Sequence, residues 1–309
     1  MTDNAEKKKT PYGSLMTDLL FKKTFSPDNA HTKVNLLNLL NDLLGPQLLS
    51  PVTDVFSMDK EENRTGSRAS RSSVFDLHCR DATGRLFVAE VQIKDLKYFV
   101  KRAMFYACQD VARQGVPGDL WNYDFAPVFV ISFSWTSLVE DGRFVRHWSF
   151  CDIGTKERAG DFVSLSFIEL GKFPGLGERP DDLRKWVYLF RNLDRIAELP
   201  PELREEKFER LLPTAEVSRL RGKELEEYER EFMTLEWDEY AIEETRRERL
   251  AEATAQGLSR GMVQGMAQGM AQGMVKGRRK MAQALLRQGV DPDIIRRASG
   301  LSEDEIRGL

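Results

Sequence analysis

The sequence predicts an α/β (α+β) fold, in which helices flank a mixed central sheet and a helical extension follows. Apolar runs of strand length alternate with helix-like runs over the first 200 residues. Residues 127–135 (PVFVISFSW) are almost entirely apolar, which is typical of a strand buried on both faces. Residues 202–255 are heavily charged, as exposed helix faces are. The order helix, strand, hairpin, helix, strand therefore indicates one layered unit and a helical extension.

The individual elements follow from hydrophobic periodicity and from the residues that interrupt it. Helices are predicted at 15–25, 28–44, 96–114 and 184–193, and strands at 52–59, 74–80, 85–93, 127–135, 143–153 and 162–170. A leucine-rich stripe marks helix 28–44, which Gly45 and Pro46 end. The linker between the second and third strands holds Asp81 and Gly84 at turn positions. These two strands are therefore expected to pair as a β-hairpin.

Two carboxylates, Asp76 and Glu90, occur within the largely apolar strands of this hairpin. Side chains alternate along a strand, so Glu90, Gln92 and Lys94 share one face. Carboxylates are seldom placed on inner strands unless something cationic compensates them. Two hard oxygen donors close together suit Mg²⁺ or Mn²⁺. We therefore expect a metal site at Asp76 and Glu90.

The helix that follows the hairpin adds two polar residues at helical spacing, Arg102 and Tyr106. Their side chains would bring positive charge and hydrogen-bonding capacity towards the same edge of the sheet. The alternative is ordinary packing on the helix surface. Both interpretations remain open from the sequence.

In this order the motifs resemble the PD-(D/E)XK nuclease superfamily, and within it the recombination-promoting nuclease (Rpn)/putative transposase family. Asp76 matches the motif aspartate, and residues 90–92 (EVQ) match the (D/E)-x-K triplet, with glutamine in place of lysine. Residues 18–25 (DLLFKKTF) match the family pattern D-x-x-F-K-x-x-F. The resemblance covers about residues 12–240, and the glycine-rich tail weakly. It implies a restriction-endonuclease-like core, DNA as the partner, and a role in DNA recombination or mobile-element biology.

The resemblance also implies roles for single residues in metal-dependent endonuclease chemistry. Asp76 and Glu90 would hold Mg²⁺ or Mn²⁺, together with the backbone carbonyl of Val91. Gln92 would orient the attacking water but, being neutral, could not stabilise developing negative charge. Lys94 is our candidate for that charge.

The first predicted helix contributes two further candidates, Asp18 and Lys22. Asp18 is either an additional acid of the site or a favourable charge at a helix N-terminus. Lys22 is a candidate phosphate contact. We expect Phe21 and Phe25 in the same motif to belong to the core.

Composition limits the classes of function that the chain can have. The 309 residues carry a formal net charge of −3, and the sequence pI is about 5.9. The protein is therefore no basic nucleic-acid coat, and DNA contact requires a local basic patch. The three cysteines show no metal-binding spacing, and neither a signal core nor a long apolar run occurs. We expect a soluble, cytoplasmic protein that does not cross a membrane.

The tail contains a tetrapeptide repeat, in which six glycines recur every four residues from Gly257 to Gly277. A glycine in a helix interior costs about 1 kcal/mol relative to alanine. A helix here would need close packing against another segment or chain, and GxxxG spacing provides for such packing. Interleaved Gln264 and Gln268 argue against a bilayer. A flexible linker and an oligomerising helix remain equally open.

The last residues, 279–309, are expected to form two or three short helices that resemble a helix-turn-helix. Ser302 and Glu305 form a capping box. We therefore expect a disordered tail at 1–11, a nuclease-like domain at 12–200, a charged helical region at 201–256, the repeat at 257–278 and this small tail at 279–309.

Two other functions fit the same sequence. One is a catalytically weak DNA-binding protein that assists recombination. The other is an oligomeric scaffold in which the repeat helix is the functional part. The acidic net charge mildly favours both, because it predicts modest nonspecific affinity for DNA.

Overall fold

The computed structural model describes residues 10–58, 77–92, 98–116 and 122–309. The chain divides into two compact units, residues 1–242 and 243–309. Most of the predicted N-terminal tail lies outside the described residues. No helix among those described is long and apolar enough to cross a bilayer.

The first unit is built on a mixed sheet of six strands. They are β1 (Val55–Ser57), β2 (Leu77–Asp81), β3 (Leu86–Gln92), β4 (Val128–Ser134), β5 (Val145–Ser149) and β6 (Val163–Glu169). The spatial order is β1-β2-β3-β4-β6-β5, with β3, β4 and β6 parallel and the other pairs antiparallel. Every residue of β4 and of β6 is buried, as expected of central parallel strands. The mixed sheet with flanking helices confirms the predicted fold class.

Helices surround the sheet and continue beyond it. They are α1 (Asp18–Thr24), α2 (Ala30–Leu44), α3 (Phe99–Arg113), α4 (Asp182–Asn192), α5 (Glu206–Glu209), α6 (Leu212–Ala215), α7 (Lys223–Arg287), α8 (Pro292–Ser299) and α9 (Glu303–Arg307). The repeat segment belongs to α7 and is helical throughout. The linker interpretation of the repeat was therefore wrong as a statement of secondary structure.

Alternation along β3 divides the core into two layers. Phe87, Ala89 and Val91 pack with residues of α1, α2 and α4 in the larger layer. Leu86 and Val88 pack with residues of α3 in the smaller one. Both faces of this strand are thus covered, and a polar side chain on it has an apolar environment unless it lies at an edge.

Aromatic rings join α1 to the sheet. Phe21 and Phe25 are fully buried, as expected from the sequence. The ring of Phe133 on β4 stacks on that of Phe190 on α4, with centroids 3.9 Å apart, and Phe21 contacts both. These contacts fix the position of α1, and with it Asp18, against the sheet.

The hairpin turn forms where the sequence predicted it. The Asp81 carboxylate accepts hydrogen bonds from the backbone N–H groups of Thr83 and Arg85, both at 2.9 Å. Gly84 has a φ of +91°, a conformation that L side chains rarely adopt. The turn sets the register of β2 and β3, in which Leu77 lies opposite Ala89.

The second unit contains a small core formed by the end of α7 with α8 and α9. Ala282, Ile295, Leu301 and Ile306 are its buried members. Gly300 ends α8 in the left-handed conformation, at a φ of +68°. Ser302 and Glu305 form both hydrogen bonds of the predicted capping box at the start of α9.

Candidate active site

Glu90 lies on β3, in the part of the strand nearest its carboxyl end. It shares the face of Val88, which packs towards α3. On the neighbouring parallel strand, Glu90 lies opposite Ser132 of β4. The side chain is 18% exposed, so the carboxylate lies at the margin of the core rather than within it.

Arg102 of α3 pairs with Glu90, with its Nη2 atom 2.6 Å from Oε1 of the carboxylate. Burial raises the pKa of Glu90, the positive charge of Arg102 lowers it in part, and the negative charge of Asp18 raises it further. The positive charge of Arg102 therefore offsets only part of the cost of holding a negative charge on Glu90. A group of this kind favours the approach of a further cation.

Asp18, the first residue of α1, is thus close enough for its charge to affect Glu90, although the two are far apart in sequence. Half of its side chain is exposed, and Lys22 lies 3.8 Å away one turn later in the helix. Glu231 of α7 approaches the same helix end, where its Oε2 atom accepts a hydrogen bond from the backbone N–H of Leu19 at 3.1 Å. Burial raises the pKa of Glu231, and the charge of Asp18 adds to this effect.

Several sequence candidates fall at or beyond the limits of the described chain. Asp76 and Lys94 lie outside the described residues. Gln92 is the last residue of β3, and Val91 before it is buried in the larger core layer. Tyr106 is half-buried on α3, with its ring centroid 5.9 Å from that of Phe105.

His78 has a partner that the sequence did not suggest. Its Nε2 atom lies 3.1 Å from Oδ2 of Asp110, and the His78 and Asp110 side chains are 5% and 0% exposed. Arg113 pairs with the other oxygen of Asp110 at 2.7 Å. This arrangement joins β2 to α3 and gives His78 a structural role.

Sequence reasoning missed two residues of this region, Ser132 opposite Glu90 and Glu231 beside Asp18. Ser132 is fully buried, and its hydroxyl has no hydrogen-bond partner among the described residues. Glu231 belongs to the charged helical region, where it has no local motif to distinguish it from many exposed glutamates. Only the pairing of β3 with β4 and the contact of α7 with α1 bring these residues to the site.

The arrangement supplies carboxylates and cations at one margin of the sheet. Within the described ranges, no group of three or more His, Cys, Asp or Glu side chains is placed to hold a metal ion. Two of the three residues proposed from the sequence as metal ligands, Glu90 and Val91, are within these ranges. Asp76, the third, directly precedes β2.

Two family models match parts of this chain. Residues 15–245 match a family described as PD-(D/E)XK nuclease family transposase. The chain belongs to this family. Residues 276–309 match a second description, the C-terminal HTH domain of the Rpn/YhgA-like nuclease family. Comparisons with curated proteins and with solved structures gave no significant match.

Both family matches confirm the resemblance predicted from residues 18–25, Asp76 and residues 90–92. Membership supports a nuclease connected with transposition, and the second match supports the helix-turn-helix interpretation of the tail. In this PD-(D/E)XK nuclease family member, Glu90 is the residue of the triplet whose charged side chain and ion-pair partner the structure describes.

Proposed function

We propose that the chain is a metal-dependent DNA endonuclease that acts in DNA recombination or on mobile elements. The observation that carries this proposal is the placement of Glu90. It is a mostly buried strand carboxylate with raised pKa beside Arg102, in a chain of the PD-(D/E)XK nuclease family. Perturbed carboxylates of this kind concentrate at functional sites.

The proposed metal ligands are Asp76, Glu90 and the backbone carbonyl of Val91. Leu77 pairs with Ala89, and these two residues directly adjoin Asp76 and Glu90 in the sequence. An all-oxygen donor set with incompletely neutralised carboxylate charge fits Mg²⁺ or Mn²⁺. When bound, such an ion supplies Lewis-acid stabilisation of the phosphoryl oxygen.

The chain's own polar residues would position the reactants. Gln92 would hold the attacking water by hydrogen bonds, while Lys94 would stabilise negative charge as the phosphorus–oxygen bond to one sugar breaks. The attacking water would form a bond to phosphorus and release a proton to solvent, and the leaving oxygen would take a proton from solvent. Arg102 favours the ionised form of Glu90, because its guanidinium lowers the pKa of a carboxyl whose burial raises it. Lys94→Ala tests the second role, since wild-type cleavage by that variant would remove Lys94 from the mechanism.

Three other residues would support binding at the same margin. Lys22 and Tyr106 are proposed contacts to the DNA backbone. Asp18 is proposed as an additional acid, and its electrostatic effect on Glu90 favours this role over a purely local one at the N-terminus of α1.

The test is nicking of supercoiled plasmid with Mg²⁺ and with EDTA, using wild type, Asp76→Ala and Glu90→Gln. Nicking is expected to require Mg²⁺ and to fall by about 10²-fold or more in both variants. Glu140→Gln, which changes an exposed carboxylate in the same unit, is the matched control and should nick normally. Activity in EDTA, or undiminished activity in both site variants, would refute the proposed metal site.

The helix-turn-helix match favours one alternative, a DNA-binding accessory protein with little catalysis. It predicts DNA binding by wild type without nicking under any metal condition. Asp76→Ala would then bind DNA as wild type does.

We also propose that the repeat segment of α7 mediates homo-oligomerisation. Methionines 262, 266, 270 and 274 are all more than half exposed, and a Cβ atom added at any of the six repeat glycines would meet no described atom beyond the helix's own backbone. A helix with six glycines and an uncovered apolar row is stabilised most simply by a second copy. Deleting residues 257–277 should abolish concentration-dependent assembly in sedimentation, whereas unchanged assembly would exclude this surface.

A cytoplasmic location remains our expectation. All three cysteines are free thiols, and a reducing compartment maintains thiols in this form. Fractionation of cells that produce the protein would test this location.

A further inference from the structure

The C-terminal end of α7 carries a concentration of positive charge that the candidate active site does not use. Five basic residues and no acidic residue occur between positions 276 and 287. They are Lys276, Arg278, Arg279, Lys280 and Arg287, and all are exposed. Because the whole chain has a net charge of −3, this segment is a local exception to an acidic protein.

Three of these cations share one face of the helix. At 3.6 residues per turn, Lys276, Lys280 and Arg287 fall within about 40° of one another around the axis. Ala282 and Leu285, which pack in the small core of the second unit, lie on the roughly opposite face. These three residues, here called the basic row, therefore point away from that core. Within the described residues none of the three has an acidic partner, whereas Arg279 pairs with Glu305 at 3.1 Å.

The two helices that follow, α8 and α9, carry acidic residues at their N-terminal ends. A helix that reads DNA would need neutral or basic residues at that end. In a helix-turn-helix, residues at the N-terminus of the recognition helix contact base edges. Asp291 caps α8, and Asp293 lies in its first turn. The first turn of α9 consists of Glu303, Asp304 and Glu305. Asp293 pairs with Arg296, and Glu303 pairs with Arg307. The five carboxylates still outnumber the three arginines of α8 and α9, which makes these helices a poor surface for phosphate.

We propose that the basic row, Lys276, Lys280 and Arg287, is the surface by which the C-terminal domain binds the phosphate backbone of duplex DNA, and that neither α8 nor α9 enters a groove end-on. The proposal rests on the proposed function in taking DNA as the partner. A helix-turn-helix comparison would select one of the short C-terminal helices for DNA contact. The proposal instead assigns this contact to the outer face of α7.

The chemistry of the row favours a polyanion over a partner protein. Gln283 lies between Lys280 and Arg287 on the same face, so no apolar side chain interrupts the row there. Gln283 is itself half-buried, and its Nε2 atom donates a hydrogen bond to the backbone carbonyl of Leu309 at 3.1 Å. It extends over about 17 Å of helix, a distance that crosses several successive phosphates. Contacts of this kind position a protein without reading sequence. Binding through the row should therefore be independent of DNA sequence and strongly dependent on salt.

The experiment measures binding of the full chain to a short mixed-sequence duplex without metal, as a function of salt. Each phosphate contact contributes about −0.9 to the slope of log K against log salt concentration. K276Q/K280Q/R287Q should therefore reduce the magnitude of that slope by about 3 and weaken binding by about tenfold or more. R246Q/R247Q/R249Q removes the same charge from the same helix. It should leave the slope almost unchanged, because glutamates 243, 244, 248 and 252 surround those arginines.

The outcomes of this experiment can be distinguished from failure of the nuclease proposal. If the wild type does not nick plasmid, the endonuclease proposal fails, but the salt dependence of DNA binding can still be interpreted. An unchanged slope in K276Q/K280Q/R287Q, with helix content by circular dichroism preserved, would overturn the basic row. Equal losses in the two triple variants would also overturn it, since net charge alone would then explain binding. Selective loss of binding to phosphatidylserine vesicles, with duplex binding intact, would assign the row to a membrane surface instead.

Discussion

The helix α7 has two contrasting parts, and only the first of them packs against other described parts of the chain. In the first part Tyr228 and Leu235 are buried at 5% and 1% exposure, and Tyr228 packs with Leu20 of α1. In the repeat, Met266 is 71% exposed, and a Cβ atom added at the glycines around it would meet no described atom beyond the helix's own backbone. Among the described residues, tertiary packing therefore supports the helix in the first part and not in the repeat. Packing rather than propensity supplies most helical stability in proteins, so the repeat should depend on a partner.

The largest expected effect distinguishes the two parts by truncation of one apolar side chain in each. Leu235→Ala should lower the free energy of unfolding by about 2–5 kcal/mol, because it leaves a cavity in the core. Met266→Ala should leave the free energy of the isolated chain almost unchanged and reduce self-association only. Chemical denaturation at low protein concentration measures the free energy of unfolding of both variants, and sedimentation measures self-association. Equal destabilisation by the two substitutions would contradict the contrast.

The next effect compares two glutamates of the helix. Burial raises the pKa of Glu239 to about 7, against partial compensation by Arg195. A raised pKa means that the folded state holds the proton more tightly, so stability falls as pH rises through this range. Wild type should lose about 1–3 kcal/mol between about pH 5 and about pH 8, a loss that Glu239→Gln removes. Glu248→Gln changes an exposed carboxylate and should retain the wild-type pH dependence.

A smaller effect is expected when a half-buried ion pair, Arg102 with Glu90, is compared with an exposed one, Arg247 with Glu243. Arg102→Ala would leave Glu90 without the cation that lowers its pKa, so half-maximal nicking should move to higher pH. At about pH 7 we expect roughly a tenfold loss of rate, equivalent to about 1.4 kcal/mol. Arg247→Ala removes an exposed arginine that lies 4.0 Å from Glu243 and should change neither quantity. An unshifted pH–rate profile in Arg102→Ala would show that Glu90 does not titrate in the rate-limiting step.

The smallest effect concerns a single repeat glycine. Gly265→Ala should stabilise the helix by about 1 kcal/mol, because alanine loses less backbone entropy and meets no neighbouring atom. If two copies pack closely at the glycine row, the same substitution should weaken dimerisation. Circular dichroism and sedimentation measured on one sample separate these effects. Stronger helix formation with unchanged or stronger assembly would exclude close packing at this glycine.

Local patterns were sufficient for the sheet and for most helices. The hairpin followed from Asp81 and Gly84, and the buried strand β4 followed from its uninterrupted apolar run. The predicted start of β2 at Val74 and the expected pairing of Asp76 lie outside the described residues, so they remain predictions. The linker interpretation of the repeat was wrong because propensity scales treat each glycine separately, whereas the long flanking segments of α7 continue the helix through them.

The sequence by itself determined the α/β class, the family and the candidacy of Glu90, because alternation and motif order are local properties of the chain. Tertiary structure alone decided which distant residues surround that carboxylate. Ser132 reaches it by parallel pairing, and Asp18 affects its pKa through the packing of α1. These relations depend on long-range register and burial, which no short window of sequence contains. The charge of Glu90 is in this way a property of the fold, while its presence on the strand is a property of the sequence.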